Sequence, residues 1–154
     1  MGPRDFAAAA QARGLSLDVR ELAASTRTAR DAARAVGCHE RQIVKSLMFL
    51  VDGIPCLVLA RGDRRVDLAL LAAAAGGKEA ERADAERVYA DTGYAIGGVP
   101  PFGHRAPLRT VMDACLESEP VLYAAAGGPN ALFRTTAQEL ERAALPVVAC
   151  VCAK

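Results

Sequence analysis

Two stretches of this sequence carry chemistry that a core does not need. The first is Lys45, which stands in Ile43-Val44-Lys45-Ser46-Leu47-Met48-Phe49-Leu50-Val51, a run that is otherwise almost wholly apolar. Lysine is rarely buried without a partner, so Lys45 is either a snorkelling cation near a strand start or a fixed ammonium lining a pocket. The second is Thr92-Gly93-Tyr94-Ala95-Ile96-Gly97-Gly98-Val99-Pro100-Pro101-Phe102-Gly103-His104, with four glycines, two prolines and one of the chain's two histidines. Glycine allows positive φ and close approach to a ligand, while Pro100-Pro101 fixes φ and removes two amide donors, so the loop is permissive and stiff at once. Taken alone such a cluster reads as a surface crossover; with free amides it also suits a ligand. A fixed cation and a set of free amides can together hold an anion or polarise a carbonyl. His104 adds a group that titrates near neutrality and can act as a general base.

Other chemistries find less support. Cys38-His39 and Ser46-His104 are conceivable nucleophilic pairs, but neither has an orienting acid or a motif around it. The five cysteines are an odd set without a CxxC, against both a disulfide framework and a zinc site, and two histidines are too few for other metal centres. Gly97-Gly98 with Gly103 lacks the strand-to-helix context and following acid of a dinucleotide fingerprint. No metal or cofactor is expected.

These residues must be positioned by an α+β framework. Ile43–Val51, Asp52-Gly53 and Ile54–Ala60 read as a β-hairpin with a two-residue turn, and both runs are too continuous to leave one face in water. Before it come a helix over Phe6–Arg13, an alternating strand over Leu15–Val19, and a helix over Ala29–Val36 capped by Thr28 and stopped by Gly37. After it, Asp67 caps a helix over Leu68–Ala75 and Asp84 one that ends near Thr92-Gly93. Strands are expected over Arg109–Met112, Val121–Ala126 and Ala131–Thr135, with Gly127-Gly128-Pro129-Asn130 as a turn between the last two. Thr136-Ala137-Gln138-Glu139 is a capping box for a last helix to about Ala144, followed by a strand over Val147–Val151. Cys150 and Cys152 would share one face of a strand as buried free thiols. The expectation is a single domain over residues 1–154, built on a mixed, closed, barrel-like β-sheet covered by short helices.

At 154 residues the chain can bury its own core, which with no tryptophan and 5% aromatics must be mostly Ala, Val and Leu. No apolar run approaches the roughly 20 residues of a membrane span. The N-terminus lacks a basic region leading into an aliphatic core, so no secretory signal is expected and the cytoplasm is the expected location. A net charge of +1 excludes a broad nucleic-acid surface but leaves room for a small contact, with Arg61, Arg64 and Arg65 clustered and Arg105 and Arg109 following the glycine loop.

At Gln42-Ile43-Val44-Lys45-Ser46-Leu47, then Gly62-Asp63-Arg64-Arg65-Val66-Asp67, then Gly97-Gly98-Val99-Pro100-Pro101-Phe102-Gly103, the chain resembles the YbaK-type aminoacyl-tRNA deacylases. The same domain is inserted in many bacterial prolyl-tRNA synthetases as their editing domain. The resemblance runs from about Ala29 to the last helix. It implies a pocket for the esterified 3′ end of tRNA and hydrolysis of wrongly attached amino acids without a metal. The partners it implies are the aminoacyl-tRNA acceptor end and prolyl-tRNA synthetase. By this resemblance Lys45 matches the pocket lysine, Ser46 the small hydroxyl residue beside it, and Gly97, Gly98 and Pro101 the Gly-x-x-x-Pro loop, with Val99 inside it. Gly127 and Gly128 resemble the turn that closes the far wall. Many members carry an Asp or His shortly after that turn; here stand Asn130, Ala131 and Leu132, so amino-acid choice stays open and His104 is a candidate substitute.

The resulting expectation assigns catalysis to Lys45, Gly97, Gly98 and His104, and substrate contacts to Ser46, Val99, Pro101, Gly127, Gly128 and Asn130. The implied reaction is release of a small amino acid such as Ala, Cys, Ser or an analogue, on tRNA for proline. The alternatives are a non-catalytic module that binds tRNA ends or aminoacyl compounds, and an apolar excess that builds an oligomer interface.

Overall fold

The computed structural model describes residues 1–23 and 25–153. In chain order the elements are α1 (Pro3–Ala12), β1 (Asp18–Glu21), α2 (Ala29–Val36), β2 (Ile43–Val51), β3 (Ile54–Arg61), β4 (Arg65–Val66), α3 (Leu68–Ala74), β5 (Ala80–Arg82), α4 (Ala85–Thr92), β6 (Arg109–Asp113), β7 (Leu122–Ala125), β8 (Ala131–Thr135), α5 (Ala137–Ala144), β9 (Val147–Ala149) and β10 (Cys152–Ala153). Short 3-10 turns precede β2 and follow β6.

The hairpin of β2 and β3 is the centre of the sheet. Its turn works as the Asp-Gly pair requires, with Asp52 at φ 50° and Gly53 at φ 80°. The Asp52 carboxylate then accepts the amides of Lys78 and Glu79, which ties the turn to the approach of β5. Cys56, Leu57, Val58, Leu59 and Ala60 of β3 are wholly buried. Alternation sends Val44 and Met48 into one core with Leu57, Leu59, Met112 and Phe133, and sends Leu47, Phe49 and Val51 into a second with Val58, Leu71 and Val111. Both faces of the hairpin are therefore covered, as its continuous apolar runs require.

The sheet is mixed, but it does not close. The strand order is β1-β8-β7-β2-β3-β6-β9, with β1 and β9 at the ends of the path and β5 pairing separately with β2. The expected barrel-like closure is thus corrected to an open sheet. All four β1 residues are exposed, and Val147 and Val148 of β9 stand at 50% and 38% exposure, as strands with one free edge do.

One irregularity positions the site. β2 pairs with β3 along its whole length, but its other edge is shared. Ile43 and Val44 pair in parallel with β7, and Phe49 to Val51 pair antiparallel with β5. Ile43 O accepts from Gly62 on the β3 side, and Met48 O accepts from Ala83 on the β5 side. By alternation the amide and carbonyl of Ser46 point to the shared edge, between the two ladders. A gap in the sheet opens there.

Several boundaries move for physical reasons. The first strand is Asp18–Glu21 and not Leu15–Val19, because Leu15 and Leu17 pack against the main core and leave the pairing to the residues after them. β9 stops at Ala149, where Val151 turns inward: its amide donates to Asp113 Oδ1 and its carbonyl accepts from Asp67. Cys150 is consequently exposed and outside any strand, and Cys152 is buried in the β10–β4 pair, so the two do not share a strand face. The short β4, β5 and β10 carry no periodicity long enough to show in the sequence. The caps are as expected, with Thr28, Asp67, Asp84 and Thr136 accepting the amides of Asp31, Leu70, Arg87 and Glu139.

Candidate functional site

A cavity of about 270 Å³ opens at the gap in β2's edge. Its floor is Val44 to Met48. One wall comes from Thr26 to Ala29 ahead of and at the start of α2, another from Arg82, Ala83 and Val88, and a third from Ile96, Gly97 and Val99. Lys45, Ser46, Gly97 and Val99, chosen from the sequence, are brought together here. Among the described residues the lining holds three cationic side chains, Arg27, Lys45 and Arg82, and no acidic one.

Lys45 and Ser46 lie on opposite faces of one strand, and the gap lets both reach the cavity. The Lys45 ammonium donates to Arg64 O at 2.5 Å. That carbonyl belongs to the Gly62–Arg65 turn, which is shaped by the Arg61–Asp63 ion pair (Nε to Oδ1 2.7 Å) and by the bond from Gly62 to Ile43. The lysine is half-buried, and desolvation pulls its pKa below the ordinary value, with Cys152, Arg82, Asp63 and Glu40 as lesser influences. Ser46 Oγ is buried without a hydrogen-bond partner. The other hydroxyls of the lining are occupied, since Thr26 Oγ1 donates to Pro129 O and Thr28 Oγ1 accepts from Asp31. Ser46 therefore offers an unused inward hydroxyl, of the kind a ligand satisfies.

The glycine loop is anchored at its start and its end. Gly93 ends α4 at φ 84°, and the buried Thr92 hydroxyl accepts from Tyr94 N while lying 2.7 Å from Val88 O. At the far end Phe102 packs on Phe6 and Phe133, with ring centroids at 4.9 and 6.3 Å. Between these anchors Gly98 N donates to Ala95 O at 3.0 Å. The amide of Gly98 is thus used inside the loop, and Gly98 does not line the cavity. Among the described residues the amides of Gly97 and Val99 carry no such backbone bond, and both residues do line it.

Gly98, Gly127, Gly128, Pro101 and Asn130 occupy supporting positions outside the lining. A Cβ at Gly98 would lie 3.1 Å from Gly128 C, so two main chains pack closer there than a side chain ordinarily permits. Gly127, at φ 94°, has the Tyr94 ring on it in the same way. Pro101 is buried beneath the loop. Asn130 Nδ2 donates to Leu22 O at 2.8 Å, Leu22 N donates back to Asn130 O, and Thr26 N and Oγ1 both donate to Pro129 O. The turn after β7 therefore holds the segment that carries Arg27 rather than touching the cavity.

His104 is also apart from the cavity. Its Nε2 lies 2.7 Å from Pro100 O, and since a carbonyl only accepts, that nitrogen carries the proton. Burial lowers its pKa; the bond to Pro100 opposes this and nearby Arg13 adds to it. Among the described residues no three His, Cys, Asp or Glu side chains converge to hold a metal. Missed from the sequence were Arg27 and Arg82. The polar run Ser25-Thr26-Arg27-Thr28 before a helix cap was the available signal for the first; the second rides on a three-residue strand that gave none.

Comparison with known proteins places this geometry. Residues 23–143 match the model of the aminoacyl-tRNA editing domain. YwhH of Bacillus subtilis (strain 168) is 32% identical over 124 residues, covering 80% of this chain and 78% of that protein. The proline--tRNA ligase of Maridesulfovibrio salexigens is 37% identical over 76 residues; the match spans 49% of this chain and 13% of the ligase. A solved structure described as a candidate trans-editing enzyme for prolyl tRNA synthetase superposes with a TM-score of 0.91 at 44% identity, covering 99% of this chain and 97% of that one. No described helix is long and apolar enough to cross a membrane. With a family model matched over most of its length and the lysine strand and glycine loop meeting at one cavity, the chain belongs to the aminoacyl-tRNA editing domain family.

Proposed function

We propose that this protein is a trans-editing deacylase. It hydrolyses the ester between a small amino acid, such as Ala, Cys, Ser or an analogue, and the 3′ end of a mischarged tRNA, that for proline above all. It does so in the cytoplasm, with prolyl-tRNA synthetase as a natural partner and without a cofactor. The observation that carries this reading is the joining of Lys45, Ser46, Gly97 and Val99 around one small cavity with three cationic side chains and no acidic one.

An aminoacyl ester is already activated, so its hydrolysis needs orientation, a placed water and stabilisation of the oxyanion. The amides of Gly97 and Val99 hold the ester carbonyl as charge develops. The Lys45 ammonium, fixed by Arg64 O, fields the ribose or terminal phosphate. Ser46 Oγ satisfies its missing partner on the aminoacyl group. No His, Asp or Glu lines the cavity among the described residues, which supports a ribose hydroxyl of the substrate as the group that activates water.

Release of amino acid from a panel of mischarged tRNAs tests this. Wild type should deacylate at least one member, and Lys45→Ala should lose roughly a hundredfold or more in kcat/KM, the scale of losing one preorganised charge. Equal rates would remove Lys45 from the mechanism. The same lack of a base in the lining favours a second reading, a binding module for aminoacylated ends. Tight binding of a non-hydrolysable aminoacyl-adenosine with no turnover of any tRNA would establish it.

A further inference from the structure

We infer that Arg27 and Ile96 form a lip that takes the terminal nucleobase of the substrate, and that Asn130 positions it from outside. The inference rests on the deacylase reading and adds what the enzyme grips besides the ester. Small-molecule sites commonly run from roughly 300 to 1,000 Å³, so a cavity of about 270 Å³ suits the aminoacyl group with its ribose and leaves the base at the mouth. Two exposed side chains of the lining are unspent. Ile96 is 43% exposed, next to exposed Ala95 and half-buried Gly97, between the buried stretches Thr92–Tyr94 and Gly98–Phe102. Arg27 is exposed and, among the described residues, makes no ion pair.

Both line the cavity, and the backbone brings Arg27 against the residue that follows Ile96. Gly97, at φ 93°, follows Ile96 directly, and a Cβ there would lie 2.9 Å from Arg27 Cγ and 3.3 Å from Arg27 Cα. The glycine therefore lets the arginine's stem rest on the loop, next to an exposed apolar side chain. A planar guanidinium beside an aliphatic surface is a sequence-tolerant platform for a base, whose faces are apolar and polarisable. The chain leading into Arg27 is tied to the turn after β7 at Leu22, by Asn130, and at Thr26, by Pro129, so the platform is preorganised from its N-terminal side.

The test uses one amino acid in three contexts: mischarged tRNA, the 3′-aminoacyl ester of adenosine, and the corresponding ester of ribose without a base. Wild type should prefer the adenosine ester to the ribose ester by about tenfold, the worth of one stacked base. Arg27→Ala and Ile96→Ala should each erase most of that preference while leaving the ribose ester unchanged, and Arg27→Lys should not restore it. Asn130→Ala should reduce it in part, through a higher KM with kcat nearly constant. Loss on the tRNA alone, restored by Arg27→Lys, would assign Arg27 to a phosphate and overturn the inference. Equal loss on all three substrates would overturn it too, by placing Arg27 at the ester. If wild type cleaves no tRNA in the panel, the deacylase reading itself fails and this inference falls with it, an outcome distinct from both.

Discussion

At the scale of single residues, Lys45 and His104 show how surroundings assign roles to the same kinds of groups. Lys45 is held by a carbonyl at the cavity floor, and desolvation favours its neutral form. If the ammonium does the work, kcat/KM falls as pH rises through a value below that of free lysine, and the alkaline limb of a pH profile should move upward in Lys45→Arg. His104 is spent on Pro100 instead. Its folded pKa is depressed, so between that value and the ordinary 6.5 the unfolded chain binds the extra proton. Stability from this group is full above about 6.5 and is lost as pH falls through the folded pKa. Thermal melts between pH 7.5 and 5 should therefore show a shallower acid loss in His104→Asn than in wild type. Removal of a true general base costs about 10²–10⁴ in rate, so a His104→Gln variant retaining more than about a tenth of wild-type kcat/KM would exclude that role.

At the scale of elements, the cavity depends on three pieces of chain that lean on one another: the segment before α2, the glycine loop and the turn after β7. The Gly98 contact with Gly128 is main chain against main chain, with no flexible side chain to yield. Gly98→Ala should destabilise the fold by about 1–3 kcal/mol in a denaturant titration, the usual scale of overpacking, and should impair deacylation because the loop must move off its support. Asn130→Ala removes one exposed side-chain bond and should cost only about 0.5–1.5 kcal/mol. The contrast between the two separates a wedge in packed backbone from a lost tether.

Over the whole molecule, charge is nearly balanced at +1, yet the cavity lining collects three cationic side chains and, among the described residues, no acidic one. Attraction for a nucleic acid is then local. With Lys45 and Arg82 facing the phosphates of a single-stranded end, log K for binding of a mischarged tRNA should fall with log salt at a slope of about −1.4, and Arg82→Ala should lessen it by about 0.7; the same lessening in Arg27→Ala would mark a phosphate contact. An unchanged slope for Arg27→Ala fits a base contact instead. Much of this architecture is legible in the sequence because its causes are local. Asp52-Gly53 sets the central hairpin, Thr28, Asp67, Asp84 and Thr136 set helix starts, and continuous apolar runs say that both hairpin faces are covered. The lysine strand and the glycine loop could likewise be named as partners. What the sequence could not contain is the geometry that pairs them. The gap in β2's edge exists because β7 and β5 approach the same edge from different parts of the chain and stop short of each other. The Leu22–Asn130 tether joins residues 108 apart, and Gly97 meets Arg27 across a comparable fold of the chain. Such contacts leave no period in the sequence. Only the tertiary structure decides that the sheet stays open, that Gly98, Asn130 and His104 lie outside the cavity lining, and that Arg27 is part of it.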